Sequence, residues 1–489
     1  RGREEDDLLL PDELLPAKCY LDDKRPSTFV SVMDMFSDDE KKWILPLLDG
    51  HIYYAPNLTA LLGKNPNALY YDLKWGEEPY VVRCLRLFLK QTMIQASLAA
   101  RLSGSPSVSW RVSMPNAMPL HRQEAYLEMV RALAREVAAE TGVPLTDGVP
   151  PVLFAHENQA DGLYFRHRNE VNARNGYLNM DVGGGTTDLS VWLGGEPNAA
   201  IETSLLLGCR QILFDSLSAR RRAEFEADFT NAEPGLRSLV HDMVRAFAAG
   251  QNSLRARQKN VFLLDAFFAH HSQGISDVMA AIRGEGRVSL LESLLLLHFG
   301  FLFRLCGELL DRCDMSGETR ELLSPRMEIC VAGNGGQFLK VFDRETRGKL
   351  FRLALSGLNP DHPVRELLLV QSRHPKQEVA RGVLTDVSRL RSSVQGGEAP
   401  GLVQSIVVPT EKRRGLLTEY LQAFYSAFPQ AGEKLLGNAF ERDANPQIVR
   451  LKPTAAIALE TVLDNELTDG DEFAGYVRAF AAMKRLWEI

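Results

Sequence analysis

The sequence predicts an α/β protein. Three observations lead to this class: helical and strand-like patterns alternate along much of the chain, the composition is globular, and a glycine-rich hairpin separates two strands. Of the 489 residues, 45% are apolar and 24% are charged, which argues against overall disorder. The 56 Lys and Arg and the 63 Asp and Glu leave a formal net charge of −7. A chain with a net negative charge does not attract the phosphate backbone of nucleic acids, so we expect no nucleic-acid partner.

The cysteines and the apolar runs indicate the cellular setting. The six cysteines form no C-x-x-C pair and no zinc spacing, so we expect buried free thiols in a reducing, cytoplasmic compartment. Cys306 and Cys313 lie on an apolar helical pattern and are expected in the core. The most apolar stretch, around Leu294 to Phe303, is too short to cross a bilayer and predicts a buried helix. We therefore expect no transmembrane segment, and no signal peptide opens the chain at Arg1.

The first third of the chain predicts a flexible start followed by alternating strands and helices. Residues 1–26 are acidic and contain prolines, which favours a solvated, flexible segment. After it, apolar spacing and glycine or proline stops define the individual elements. These are strands at 27–32 and 51–54, a helix ending near 102, a strand at 108–114, a helix at about 121–140 and a strand at 152–155.

The rest of the chain is organised around two glycine-rich turns. Residues 177–193 read as a hairpin, and the region from about 211 to 323 is mostly helical in pattern. Residues 327–331 then alternate as a strand that leads into the second glycine-rich turn. Glycines and a proline at 396–401 mark a boundary, beyond which short strands and amphipathic helices are mixed.

The most informative segment begins at Asp181 and reads Asp-Val-Gly-Gly-Gly-Thr-Thr-Asp. Consecutive glycines between strands are costly unless the backbone needs unusual dihedral angles or a close approach. Their amides can line a concavity for an anion, but Asp181 and Asp188 would repel phosphate unless a hard cation such as Mg²⁺ lay between them. We therefore predict a Mg²⁺–polyphosphate turn, with a plain tight hairpin as the alternative. The residues of this turn are Gly183, Gly184, Gly185, Thr186 and Thr187.

This segment resembles the second phosphate motif of the ATPase superfamily that contains actin, DnaK-type chaperones and hexokinase, and its style is closest to DnaK-like and bacterial actin-like ATPases. Segment 328–336 is similar to the adenosine motif of that superfamily, and 155–160 and 375–384 look like its two connecting segments. The resemblance covers roughly 53–384. It implies nucleoside contacts at Gly333, Asn334, Gly335 and Gly336.

The resemblance implies a two-lobed, actin-like (ribonuclease H-like) α/β fold. The first lobe would be 27–176, and the second would be 177–385 with a helical insertion at about 211–323. A C-terminal extension, 386–489, would be mixed and mainly helical. The family's first phosphate motif is not found in the chain. Either it lies upstream of Arg1 in a longer protein or it has been lost, which would put hydrolysis in doubt.

Roles for individual side chains follow from the resemblance. Glu157 would polarise the attacking water, although a solvated carboxylate at a helix start is an equal alternative. Asp181 and Asp188 would hold Mg²⁺ and its waters, with turn-capping aspartates as the alternative. Lys74 resembles a lysine that neutralises phosphate charge, and an ordinary surface lysine is the simpler interpretation.

Other segments carry weaker expectations. Arg255, Arg257 and Lys259 would contact adenine or ribose, unless they form a solvated charged face. Small residues in Val379-Ala380-Arg381-Gly382 would allow close helix contact at a hinge between the lobes, or belong to an ordinary packed helix. His270 and His271 are adjacent on a helical pattern and do not suggest a metal site.

The function predicted from these residues is that of an ATP-binding, Mg²⁺-dependent ATPase whose ATP or ADP state drives lobe closure. The alternative is a pseudo-ATPase scaffold or partner-binding protein with the same fold. A sugar-kinase-like transferase would need a polar substrate pocket that the sequence does not reveal. The C-terminal pattern at Leu416, Tyr420, Leu421 and Phe424 favours helices over an all-β peptide-binding domain. We expect this extension to bind a protein partner or to mediate self-association.

Overall fold

The protein is a mixed α/β molecule in a computed structural model. The structure describes residues 20–21, 69–70, 73, 78–115, 118–168, 171–172, 174–194, 199–205, 207–213, 219–249, 260, 263–264, 267–268, 274–313, 323–372, 378–385, 410–437, 439–442 and 449–452. The predicted strands at 27–32 and 51–54 lie outside these residues.

The strands are β1 (Tyr20–Leu21), β2 (Leu69–Tyr70), β3 (Trp110–Met114), β4 (Val152–His156), β5 (Tyr177–Val182), β6 (Thr187–Trp192), β7 (Ala199–Leu205), β8 (Arg326–Ala332), β9 (Glu366–Gln371), β10 (Phe440–Arg442) and β11 (Val449–Leu451).

The helices are α1 (Pro79–Leu102), α2 (Leu120–Thr141), α3 (Glu157–His167), α4 (Arg210–Leu213), α5 (Ala219–Asp228), α6 (Pro234–Ala248), α7 (Gly274–Gly284), α8 (Leu290–Asp311), α9 (Gly333–Gly336), α10 (Arg344–Leu355), α11 (Glu378–Thr385), α12 (Thr410–Ala427) and α13 (Pro429–Leu436). A 3₁₀ turn, Gln337–Val341, continues α9.

In the N-terminal part β1 pairs with β2 in an antiparallel ladder, and β3 and β4 form a parallel pair with α2 as the crossover between them. The helix predicted at about 121–140 is observed as α2, and its Val130, Leu133 and Val137 are buried against Met114 and Phe154. Gly142 ends this helix in the left-handed conformation, with φ of 66°. The predicted sequence pattern of strand, helix and strand is therefore confirmed between 110 and 156.

The second sheet has five strands in the order β7-β6-β5-β8-β9. The hairpin β5–β6 and the pair β6–β7 are antiparallel, whereas β5–β8 and β8–β9 are parallel. Side chains on one face, including Leu178, Met180 and Val182, enter the large helical core. On the other face Tyr177 stacks on Trp192 beneath α3, with 5.5 Å between the ring centroids.

Helix α8 is the centre of the large core. Its side chains are almost all buried, and Ser289 caps its first turn by accepting a hydrogen bond from the amide of Glu292. By length and composition α8 alone among the described helices could cross a bilayer, but 94% of its apolar window is buried inside the protein. The buried helix predicted at this position is confirmed. Burial also raises the thiol pKa of Cys306 and Cys313 to about 12, as expected for core cysteines.

The described part of the C-terminal extension packs on the same core. Tyr420, Leu421 and Phe424 of α12 are buried in the cluster that contains α8, as are Leu435 and Leu436 of α13. The helices predicted for this region are therefore present, and they complete the second sheet's core.

Candidate functional site

The two glycine-rich turns lie at the same edge of the five-stranded sheet. β5 and β8 are parallel neighbours, so their carboxyl ends, Val182 and Ala332, point the same way. The chain runs from β5 towards β6 and β7 on one side, and from β8 towards β9 on the other. In open α/β sheets, ligands bind beyond the carboxyl ends of the strands at such a reversal of strand order.

The first turn is held by backbone hydrogen bonds. The Gly183 amide donates to the Thr186 carbonyl at 2.8 Å, which closes the hairpin. The amides of Cys209 and Arg210 donate to the carbonyls of Gly183 and Gly184 at 3.0 and 2.9 Å. None of the turn's glycines has a left-handed backbone. A Cβ on Gly183 would lie 3.0 Å from the Thr186 carbonyl oxygen and one on Gly184 would lie 3.0 Å from Arg210 Nε, so close approach explains these two glycines. The segment after β7 thus clamps the turn from outside, which the sequence analysis did not foresee.

The second turn touches the first. Gly333 has φ of 73°, and a Cβ placed on it would lie 2.2 Å from Asp181 Oδ1. A Cβ on Gly335 would lie 2.6 Å from the Val182 carbonyl oxygen and 2.5 Å from Cys209 Sγ. Only glycine fits at these contacts, so the predicted adenosine-type turn and the phosphate-type turn form one continuous surface. Asn334 lies between them and is half-buried.

Two carboxylates flank the first turn. Asp181 and Asp188 are directly opposite each other on β5 and β6, so their side chains leave the same face of the sheet. Like charges in this position destabilise a sheet unless a cation lies close to them. Among the described residues no three His, Cys, Asp or Glu side chains could together hold a metal ion. Two carboxylates without a full cage fit a hydrated Mg²⁺, which keeps several of its waters.

Thr187 serves the turn structurally. Its hydroxyl donates to the Leu207 carbonyl at 2.6 Å, and its side chain is fully buried. This hydroxyl is therefore engaged within the protein, although Thr187 was predicted to belong to the phosphate-binding turn. Thr186 is also buried, with 6% of its surface exposed.

Helix α3 brings further acids to this face. Asp161 follows Glu157 by one helical turn and is completely buried, and neither of its carboxylate oxygens has a hydrogen-bond partner. Burial, followed by the charges of Asp181 and Glu378, raises the pKa of this carboxyl well above its ordinary value. Asp188 and Glu157 act in the same direction. Five carboxyl groups therefore lie beside the turn. A bound cation would offset their negative charge.

Asp161 and Glu378 were not singled out from the sequence. The available signal was the helical spacing of Glu157 and Asp161, which places both side chains on one face of α3. Glu378 begins α11 and is also buried, with 2% exposure. No local pattern links it to the phosphate-type turn, because it follows that turn by almost two hundred residues.

Tyr126 of α2 connects the N-terminal sheet to this acidic face. Burial and, secondarily, the charge of Glu157 raise the pKa of Tyr126 to about 12. The α2 side chain therefore lies close enough to Glu157 for their charges to interact. Glu157 is itself half-buried at the first position of α3, which keeps its carboxylate at the junction of the two sheets.

The predicted close contact between connecting helices is observed. A Cβ on Gly382 would lie 1.7 Å from the Ala160 carbonyl oxygen, so the backbones of α11 and α3 touch. Val383 packs with Ala155 and Ala160, and Val379 is partly buried beside them. Ala380 is exposed and therefore does not belong to the contact.

Several predicted side chains fall outside the described residues, namely Lys74, Arg255, Arg257, Lys259, His270 and His271.

A separate cavity of about 940 Å³ lies between α5, α7 and α13, and it is rich in acidic side chains. Those acids have structural partners. Glu233 caps α6, Asp228 accepts a hydrogen bond from the Leu290 amide, and Glu224 pairs with Lys434. These three acidic side chains therefore have structural roles in the fold.

Two solved structures superpose weakly on the chain. A ROK-family transcriptional regulator, described as a homologue of the E. coli MLC protein, is 14% identical over 62% of this chain and 67% of that one, with a TM-score of 0.31. MreB5 of Spiroplasma citri bound to ADP is 13% identical over 68% of this chain and 83% of that one, with a TM-score of 0.30. Scores of this size carry no argument about function. No protein-family model matches the chain, and no curated protein sequence matches it.

Proposed function

We propose that the protein binds ATP with Mg²⁺ on the surface that the two glycine-rich turns form together and hydrolyses it. The observation that carries this proposal is the contact between Gly333 and Asp181, which joins a nucleoside-type turn to a phosphate-type turn at a strand-order reversal. The proposal includes a two-lobed, ribonuclease H-like architecture whose second lobe contains the five-stranded sheet. The five described cysteines are buried and outside disulfide bonds, which is in keeping with a cytoplasmic protein.

In this proposal each residue has a separate task. Amides of Gly184, Gly185 and Thr186 donate hydrogen bonds to phosphate oxygens, and the Gly333–Gly336 turn, which is packed against the end of β5, receives the nucleoside. Asp181 and Asp188 orient the waters of the cation. When bound, Mg²⁺ neutralises charge on the phosphate oxygens.

We assign the role of general base to Glu157, which is half-buried at the start of α3. Its carboxylate accepts a proton from water as the water oxygen attacks the terminal phosphorus, and the bond to the bridging oxygen breaks with its electrons leaving on ADP. Such a base is worth about 10²–10⁴ in rate. Nucleotide-dependent closure would act through the Gly382–Ala160 contact, because the connecting helices meet there.

The test is a calorimetric titration of ATP with Mg²⁺ into the native chain and into Asp181→Asn. We expect the variant to bind at least about tenfold more weakly, because the amide removes the charge that orients the cation's waters. Glu366→Gln is the matched control, since Glu366 is exposed at the start of β9 and should leave the affinity unchanged. Equal affinity of Asp181→Asn and the native chain would contradict the assigned role. Binding without phosphate release would favour the pseudo-ATPase alternative.

A further inference from the structure

Arg210 places a cationic side chain on the phosphate-type turn. A Cβ built on Gly184 would lie 3.0 Å from Arg210 Nε, 3.2 Å from its Cζ and 3.3 Å from Nη2. The guanidinium therefore rests against the Cα of the turn's central glycine. The neighbouring backbone is fixed as well, because the Arg210 amide donates to the Gly184 carbonyl at 2.9 Å. The arginine is half-buried, so its charge is held at the turn.

The surroundings make a cation at this point significant. Asp181 and Asp188 flank the same turn, and Glu157 and Asp161 face them from α3. A polyphosphate entering this face meets several negative charges. A guanidinium beside the turn offsets part of that repulsion and offers hydrogen-bond donors arranged in a fork that suits phosphate oxygens.

The direction of the chain indicates which phosphate would meet Arg210. The nucleoside-type turn contacts β5 at Asp181 and Val182 through Gly333 and Gly335. Gly184 lies further along the chain, beyond the end of β5, at the tip of the hairpin. If the nucleoside lies at Gly333 and its phosphate chain follows β5 towards the hairpin tip, the far end of that chain reaches Gly184 and Arg210.

We infer that Arg210 binds the terminal phosphate of a nucleoside triphosphate and makes the site prefer the triphosphate over the diphosphate. The inference rests on the proposed nucleotide site and adds a specificity-determining residue to it. Arg210 does not stand out in the sequence as a site residue, because it follows the glycine turn by some two dozen residues, with β6 and β7 between them.

The experiment measures the affinities of ATP and ADP, with Mg²⁺, for the native chain, Arg210→Gln and Arg210→Lys. We expect Arg210→Gln to bind ATP about 10- to 100-fold more weakly, the range for a lost hydrogen bond to a charged group, and ADP less than about threefold more weakly. Arg210→Lys should recover part of the loss, since it restores the charge without the fork. Arg326→Gln, at an exposed arginine of β8, should match the native chain.

A second variant keeps the arginine but moves it. Gly184→Ala inserts a methyl group against the flexible end of Arg210, so we expect the fold to remain intact and the preference for ATP to fall. Adding Arg210→Gln to Gly184→Ala should cause no further loss, because both changes remove the same contact. Fully additive losses would contradict a shared contact.

The outcomes separate this inference from the proposed function. If the native chain binds neither nucleotide, the proposed site itself is wrong and the inference falls with it. If the native chain binds both and Arg210→Gln changes neither affinity, the site stands and the role of Arg210 is refuted. Equal weakening of ATP and ADP would also overturn the assignment to the terminal phosphate.

Discussion

Glycine can be required by a left-handed backbone or by the close approach of other atoms, and a comparison of Gly333 with Gly148 distinguishes these two reasons. Both have φ of 73°, where a side chain strains the backbone. Nothing lies within 4 Å of a Cβ built on Gly148, whereas one built on Gly333 would lie 2.2 Å from Asp181 Oδ1 and 2.5 Å from the Val182 carbonyl oxygen. Backbone strain would affect an alanine at either position, but of these two glycines only Gly333 is also closely approached by other atoms.

Replacement of these glycines by alanine should therefore give different results. Gly148→Ala should cost about 1–2 kcal/mol, the strain of a left-handed alanine. Gly333→Ala should cost about 3 kcal/mol or more, because the clash with backbone and carboxylate is added to that strain, and it should weaken nucleotide binding. Denaturant unfolding and ATP titration measure the two effects. Similar stability losses in both variants would show that the Asp181 contact is not tight.

At the scale of elements, local patterns were sufficient for most helices and strands. The β5–β6 hairpin, α2, β8 and the glycine turn after β8 are all set by neighbours in sequence, through apolar spacing and turn residues. The parallel pairing of β5 with β8 was not predicted from the sequence, because almost 150 residues separate the two strands. Asp161, Glu378 and Arg210 were not predicted as site residues for the same reason, because they are brought to the site by contacts between elements that are distant in sequence.

The contact between α3 and α11 gives the element-scale prediction. Gly382→Ala should destabilise the protein by about 1–3 kcal/mol, since its methyl group would meet a backbone carbonyl that cannot rotate away. Gly348→Ala is the matched control. Gly348 lies within α10 with nothing within 4 Å of its built Cβ, so alanine there should stabilise by about 0.5–1 kcal/mol. Denaturant unfolding of both variants measures the opposite signs, and a neutral Gly382→Ala would refute the close packing of the connecting helices.

At the scale of the whole molecule, the C-terminal helices bear on how partners could bind. The Tyr420 hydroxyl donates to the Leu297 carbonyl at 2.5 Å, and α12 contributes Phe424 to the core around α8. This part of the extension is thus integral to the body that contains the candidate site. A partner that displaced α12 would disturb the core beneath the five-stranded sheet, so we propose that contacts of the extension are linked to the state of the cleft.

In the proposed function, the glycine turn after β5 and the one after β8, which are distant in sequence, form one nucleotide site. Hydrogen exchange, followed peptide by peptide with and without ATP and Mg²⁺, tests it most directly. We predict that amides of Gly184–Thr186 and Gly333–Gly336 exchange at least about tenfold more slowly with nucleotide bound, while the buried amides of α8 do not change. Unchanged exchange at both turns under saturating nucleotide, or protection confined to the cavity between α5, α7 and α13, would contradict the account.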